Sequence, residues 1–280
     1  MTPATYTALS DWLFARLGLS LGFDKAYLVE SRITPIVRRH GLPSIDALGA
    51  LLGRRLPEDM AREICGAMTA SESAFFRDVR PYAHFAREAL PALLRARAGL
   101  RRLRIWNAVA GGGQEAYSIA MLLHEARAAL EGWAVEIVAT DIGEDMLRRA
   151  REGVYSHFEI QRGLPSRLLV RHFERQGDRW QASAALRSMV RFGSFNLMHD
   201  PRPLGLFDAV FCRYALVQLD AAARDAVAGR IARIIPGDGF LYLGEGEVAR
   251  AELFAPVPGE KGIFMHAARD QARGTPSLRP

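Results

Sequence analysis

Lysine is nearly missing from this chain. It occurs only at Lys25 and Lys261, so the net charge of +6 and the pI of about 9.7 rest on arginine. A skew toward arginine follows genome composition as readily as it follows a nucleic-acid ligand. It supports no more than a basic surface that favours an acidic partner. Cysteine is also scarce. Cys65 and Cys212 lie far apart with no metal-ligand spacing, which excludes a disulfide framework and fits buried thiols in a reducing compartment. No apolar run is long enough to span a bilayer, and the opening MTPATYTALSDW lacks a basic-then-apolar leader. A cytoplasmic chain without membrane insertion is expected. There is no Gly-Lys-Ser/Thr, hence no Walker A loop. The seven histidines form no sequence pair with metal spacing and have no serine or cysteine partner that would suggest a hydrolase.

What is present is enough for one large or two modest domains: 280 residues, 49% hydrophobic and 24% charged. Residues 4–88 show no convincing strand. Helical spacing recurs over 6–17, 25–40, 45–52 and 57–68, punctuated by Gly18, Gly22, Gly41 and Pro43. This predicts an all-helical domain over 1–88, including an interdomain linker, with a helix over 81–98 leading onward. From residue 102 strands and helices alternate, with strands predicted at 103–108, 135–140, 190–195, 208–213, 239–243 and 262–266. Helices are predicted at 115–129, 144–152, 165–172 and 221–234. The pattern is that of an α/β domain over 89–268 with a mostly parallel, Rossmann-like sheet covered on both faces. The polar stretch 173–189 breaks the rhythm and predicts a small β excursion turning at Gly177. Residues 269–280 have the composition of a disordered tail.

The most informative stretch is RIWNAVAGGGQEAYSIAM, beginning at Arg104. It reads as a strand, three glycines (Gly111, Gly112, Gly113) and an amphipathic helix. The next strand closes on Asp141. Glycines allow close backbone approach, a helix start offers free N–H groups, and an acid at the next strand end can hold a ribose diol. Together they describe half of a nucleoside site at the carboxyl ends of parallel strands, where Asn196 also falls. Between the domains, SESAFFRD fits two descriptions. The commoner is helix-start packing beside a solvated arginine. The other has Phe75 and Phe76 packing into an interdomain cleft, Arg77 aimed at an anionic group, and Ser71 and Ser73 as donors. Arg213 ends a strand on the ligand side of the sheet. Asp220 reads as a helix N-cap, and Glu245 and Glu247 read as solvated loop carboxylates.

These motifs, in this order, resemble the chemotaxis-receptor glutamate methyltransferases, the CheR family. The resemblance rests on Ser73-Ala-Phe75-Phe76-Arg77, Trp106-Asn107-Ala108, Gly113-Gln114-Glu115-Ala116-Tyr117-Ser118, Ala139-Thr140-Asp141-Ile142, Asn196-Leu197 and Phe211-Cys212-Arg213. It implies an N-terminal helical receptor-docking domain and a class I methyltransferase domain using S-adenosylmethionine, with S-adenosylhomocysteine as product and no metal. It implies a cofactor site drawn from Ser71, Ser73, Arg77, Ala110, Gln114, Asp141, Asn196, Leu197, Arg213 and Tyr214, with Arg77 also at the reacting end. The implied partner is a methyl-accepting receptor or another glutamate-rich helix rather than nucleic acid, met by a monomer, with Arg32, Arg38, Arg39, Arg54 and Arg55 as a basic face. The chain departs from the family at several points. Gln114 replaces a glutamate, at a cost of about 1–2 kcal/mol in a charge-assisted bond. Gly111-Gly112 replace Ser-Thr, Tyr214 an asparagine, Gln218 a tyrosine, and Gly244-Glu245-Gly246-Glu247 a Gly-His-Ser-Glu. Two other readings stay open: a CheR-like binding protein without catalysis, and a methyltransferase with a different carboxylate acceptor. The short turn Gln176-Gly177-Asp178 leads us to expect that a receptor C-terminal pentapeptide is not gripped.

Overall fold

A computed structural model describes residues 1–54, 56–69 and 73–267. Ser71, Arg55 and the expected tail over 269–280 lie outside the described residues.

The N-terminal unit is built from α1 (Pro3–Leu17), α2 (Ala26–Arg39), α3 (Ile45–Leu52) and α4 (Glu58–Thr69). The punctuation seen in the sequence sets these limits. Thr2 caps α1 from its side chain, and Gly18 ends it in the left-handed region (φ 66°) with its N–H on Phe14 O. Ser44 caps α3. The predicted helix over 81–98 is one continuous path over 80–96: α5 (Arg80–His84), a widened π turn (Phe85–Ala89) and α6 (Leu90–Ala96). Pro91 sits just past the π turn, where its missing N–H and its ring cannot satisfy a regular ladder.

The second unit contains β1 (Arg102–Asn107), α7 (Gln114–Glu125), β2 (Ala134–Asp141), α8 (Glu144–Glu152), β3 (Val154–Ser156), α9 (His157–Gln161), α10 (Ser166–His172), β4 (Phe173–Gln176), β5 (Arg179–Ala182), α11 (Ala184–Ser188), β6 (Val190–Ser194), β7 (Ala209–Phe211), α12 (Ala221–Ala232), β8 (Phe240–Tyr242), β9 (Phe254–Pro256) and β10 (Ile263–His266). The main sheet has seven strands in the order β6-β2-β1-β7-β8-β10-β9. The first five are mutually parallel, and β10 runs antiparallel to both β8 and β9. The predicted six strands are all there. The seventh, β9, is only three residues long and lacks the apolar run that marks a central strand. β3, β4 and β5 form a separate antiparallel sheet, with a tight turn at Gly177 (φ 62°).

Alternation along the strands divides the core in two. Trp106, Val138, Val210 and Leu241 face the N-terminal helices and α12; Leu9, Leu13, Ile33, Ile64, Val227 and Ile231 lie in that cluster. Ile105, Ile137, Phe211 and Tyr242 face the opposite way, against Tyr82, Phe85, α7 and the small sheet. The N-terminal helices thus pack on one sheet face, and residues 75–93 pack on the other.

Candidate active site

β1 ends at Asn107, and the chain turns through residues 108–113 into α7. Gly111 and Gly113 adopt φ of 52° and 90°, and a Cβ on Gly113 would come 2.9 Å from that of Ala150. Larger residues do not fit this turn. Asp141 closes the neighbouring strand. Its Oδ2 accepts from the Gly111 N–H at 2.8 Å and its Oδ1 from the Gly143 N–H at 2.9 Å. It is 7% exposed. Burial raises its carboxyl above the usual range, and the backbone donors at Gly143, Gly111 and Ile142 offset part of that rise. The carboxylate also lines the compartment beside it, where it can accept from a hydroxyl donor.

Beside Asp141 opens an apolar compartment. Ala108, Ile142, Phe195, Leu197 and Ala215 line it from the sheet side, and Leu17, Leu19 and Thr69 close it from the N-terminal unit. The two units are stitched here. Leu19 bridges Leu219, the Asp220 N–H donates to Gly18 O at 3.0 Å, and the Ser20 N–H donates to Gln218 O at 3.4 Å. A narrow apolar slot ending on a carboxylate fits an adenosine.

Val109 lines this compartment and also a second, polar one formed with Ser73, Arg77, Gly111, Glu115, Arg213 and Tyr214. A buried charge network builds its wall. Arg213 donates to Glu115 Oε1 (2.7 Å), to Tyr82 Oη (3.2 Å), to Arg77 O (2.9 Å) and to Asp78. Glu115 also accepts from Tyr82 and, through Oε2, from Asn107 at 2.8 Å. Burial works against the Arg213 charge, but Glu115 and Asp78 more than restore it, so its pKa rises. Tyr214 donates its hydroxyl to Asp78, and its pKa is raised by burial and by that bond. The Arg77 guanidinium lies over the Tyr214 ring, 3.5 Å from the centroid. Phe76, Asp78, Val79 and Tyr214 all have positive φ (46°, 66°, 44° and 60°). The segment carrying Arg77 is therefore held in a costly conformation by the network around it. Cationic and anionic groups side by side fit the zwitterionic end of an amino-acid-derived cofactor.

The structure brings together Asp141, Leu197, the Asn196 backbone, Ser73, Arg77, Arg213 and Tyr214. The Asn196 side chain is turned away to Arg16 O and the Met198 N–H. Ala110 lies beneath the loop, 1% exposed, with its N–H on Thr140 O. Gln114 is 3% exposed and lines neither compartment; its Oε1 has no partner among the described residues. Glu115, its neighbour, is the carboxylate that reaches the cleft. Glu115, Asp78 and Tyr82 were not singled out in the sequence, because nothing local shows that 98 residues of separation close onto Arg213. Glu247 corrects an expectation. It is buried and takes the N–H groups of Tyr214, Gly244 and Val217 at 2.7, 2.7 and 2.9 Å. It fixes the 214–217 loop from beneath. Asp220 caps α12 as expected. The thiols are inert, since burial raises Cys65 to about 11 and Cys212 well above the usual range.

Comparison with known proteins agrees with this geometry. Residues 71–263 match the CheR methyltransferase SAM-binding domain, and residues 4–69 match the CheR methyltransferase all-alpha domain. The chain is 35% identical over 256 residues to Chemotaxis protein methyltransferase Cher2 of Pseudomonas putida, covering 89% of this chain and 93% of that one. It is 36% identical over 236 residues to Chemotaxis protein methyltransferase 1 of Pseudomonas aeruginosa, covering 82% and 85%. With both domain models matched in order along most of the chain, the chain belongs to the CheR methyltransferase family.

Proposed function

We propose that this protein transfers a methyl group from S-adenosylmethionine to glutamate side chains on the cytoplasmic helices of a chemoreceptor, working as a cytoplasmic monomer. The observation that carries the proposal is the pair of adjacent compartments that share Val109, an apolar one lined by Asp141 and a polar one lined by Arg77 and Tyr214. When bound, S-adenosylmethionine supplies an electrophilic methyl on a sulfonium. A glutamate carboxylate is already ionised at neutral pH, so no general base is needed. The work left to the protein is alignment and exclusion of water. Arg77 orients the incoming carboxylate, the Tyr214 ring fixes the guanidinium from one face, and Asp141 and the backbone near Asn196 and Leu197 hold the nucleoside. This explains why Gln114 and Gln218 can differ from the family pattern without removing a proton-transfer group.

Docking falls to the N-terminal helices. Of the arginines expected there, Arg32 caps the end of α4 through Ala67 O and Met68 O, and Arg39 pairs with Glu63. Arg38 and Arg54 are exposed and available to an acidic helix. No helix among the described residues is long and apolar enough to cross a membrane. The experiment is transfer of radiolabelled methyl groups to a receptor cytoplasmic domain, scored as base-labile ester. The intact receptor and one lacking its C-terminal pentapeptide are expected to be labelled equally, because the β4–β5 turn is only Gly177 and Asp178 and offers no shaped loop for a peptide. No labelling of any receptor by protein that binds S-adenosylhomocysteine would instead make this a binding protein.

A further inference from the structure

Away from the cleft, the last turn of α7 meets the last residue of α10, and the meeting gathers two imidazoles and a carboxylate. His124 and Glu125 close α7, and His172 closes α10. One ligand atom from each lies within 4.8 Å of the other two. His172 Nε2 stands 3.4 Å from Glu125 Oε1, close to the spacing of neighbouring ligands around a tetrahedral ion with bonds of about 2.0–2.1 Å. The two rings meet edge to face at 5.0 Å. His124 Nδ1 is buried and has no partner among the described residues. His172 is 2% exposed.

We propose that His124, Glu125 and His172 form a binding site for a divalent transition-metal ion of the zinc class, with water in the fourth position. Two imidazoles and one carboxylate suit Zn²⁺, whereas Mg²⁺ and Ca²⁺ select all-oxygen sets. Two arginines already touch the carboxylate. Arg171 Nη1 lies 2.9 Å from Oε1 and 3.1 Å from Oε2, and Arg167 Nη2 lies 3.3 Å from Oε2. Their side chains are 41% and 75% exposed, and surface pairs of this kind yield readily. Oε1 then turns to the ion while Oε2 keeps an arginine as its outer partner, an arrangement common for ligating carboxylates. The site has a definite place in the fold. Phe173, the residue after His172, begins β4, so the ion would clamp the base of the small sheet to α7. The cleft lies at the opposite end of α7, roughly 16 Å away at 1.5 Å per residue. The ion is therefore a structural staple and takes no part in methyl transfer.

The test uses the full chain, stripped with chelator and dialysed. Calorimetric titration with Zn²⁺ is expected to give one ion per chain, and Co²⁺ is expected to give the intense visible absorption of a four-coordinate site. His124→Asn and Glu125→Gln, at partly exposed positions, are each expected to weaken Zn²⁺ binding at least tenfold, with circular dichroism confirming the fold. Absence of stoichiometric binding by the wild-type chain overturns the proposal. So does undiminished binding by the H124N/E125Q double variant, which would put the ion on other histidines or on a cysteine. Should neither variant fold, the wild-type stoichiometry and the Co²⁺ spectrum decide.

Discussion

Asp141 answers two demands with one carboxylate. It anchors the glycine turn through Gly111 and the start of α8 through Gly143, and it lines the apolar compartment. Asp141→Ala is expected to weaken S-adenosylhomocysteine binding by about 1–3 kcal/mol, the loss of bonds to a charged acceptor. Unchanged affinity by calorimetry would remove the nucleoside assignment. Burial raises this carboxyl, so the ionised acceptor, and cofactor affinity with it, is lost on acidification sooner than at an exposed aspartate. In the polar compartment, Arg77 and Tyr214 form a stacked pair. Arg77→Ala is expected to lower kcat much more than cofactor affinity. Tyr214→Ala is expected to follow it by a few-fold, on the scale of a cation–π contact of about 0.5–1 kcal/mol. Tyr214→Phe keeps the ring and is expected to retain most turnover. Equal losses in Phe and Ala variants would show that the hydroxyl bond to Asp78, rather than the stacking, is what matters. The sequence offered Asp141 and Arg77 because each lies within a short motif. It did not offer Glu115 or Asp78, whose roles depend on Arg213 arriving from a distant strand.

At the scale of elements, caps and glycines marked most helix limits, since the bonds that end a helix are local. The start of α1 is also tied to α3. Asp46 accepts from the Thr2 N–H at 2.8 Å and the Thr2 hydroxyl at 2.9 Å. The Thr2 backbone bond, with the hydroxyls of Thr5 and Thr2, lowers the Asp46 carboxyl from 3.8 to about 2. A carboxyl lowered in the folded state contributes stability that is complete above its unfolded pKa and lost as pH falls through the folded one. Asp46→Asn is therefore expected to be less stable than wild type at about pH 5, with the gap closing as pH approaches about 2. A gap that stays constant in urea melts across that range would refute the ionic role. The elements that escaped the sequence are the short ones. β3 and β9 have only three residues each, too few for a period to show. Glu247 looked like a loop carboxylate because its three backbone donors come from residues 214, 217 and 244.

At the scale of the whole molecule, the cleft exists because two units close on each other. Gly66 of α4 faces Gly143, and a Cβ at Gly66 would come 2.8 Å from the Gly143 Cα. Gly66→Ala should favour the helix itself by about 1 kcal/mol, yet overpacking of this kind costs roughly 1–3 kcal/mol. The variant is expected to lose cofactor affinity, because the strain falls on the residue whose N–H holds Asp141. Affinity equal to wild type by calorimetry would mean that the domain contact does not reach the site. The sequence by itself determined the helical first unit, the parallel sheet, the glycine turn with its facing acid, and the family resemblance. All of these are written in local periodicity, in caps, or in motifs a few residues long. Only the tertiary structure decided that Leu17, Leu19 and Thr69 wall the apolar slot beside Asp141, that Arg213 is neutralised by Glu115 and Asp78, and that His124 meets His172. These pairings join residues tens to hundreds of positions apart, and their partners are chosen by packing and desolvation rather than by any local pattern.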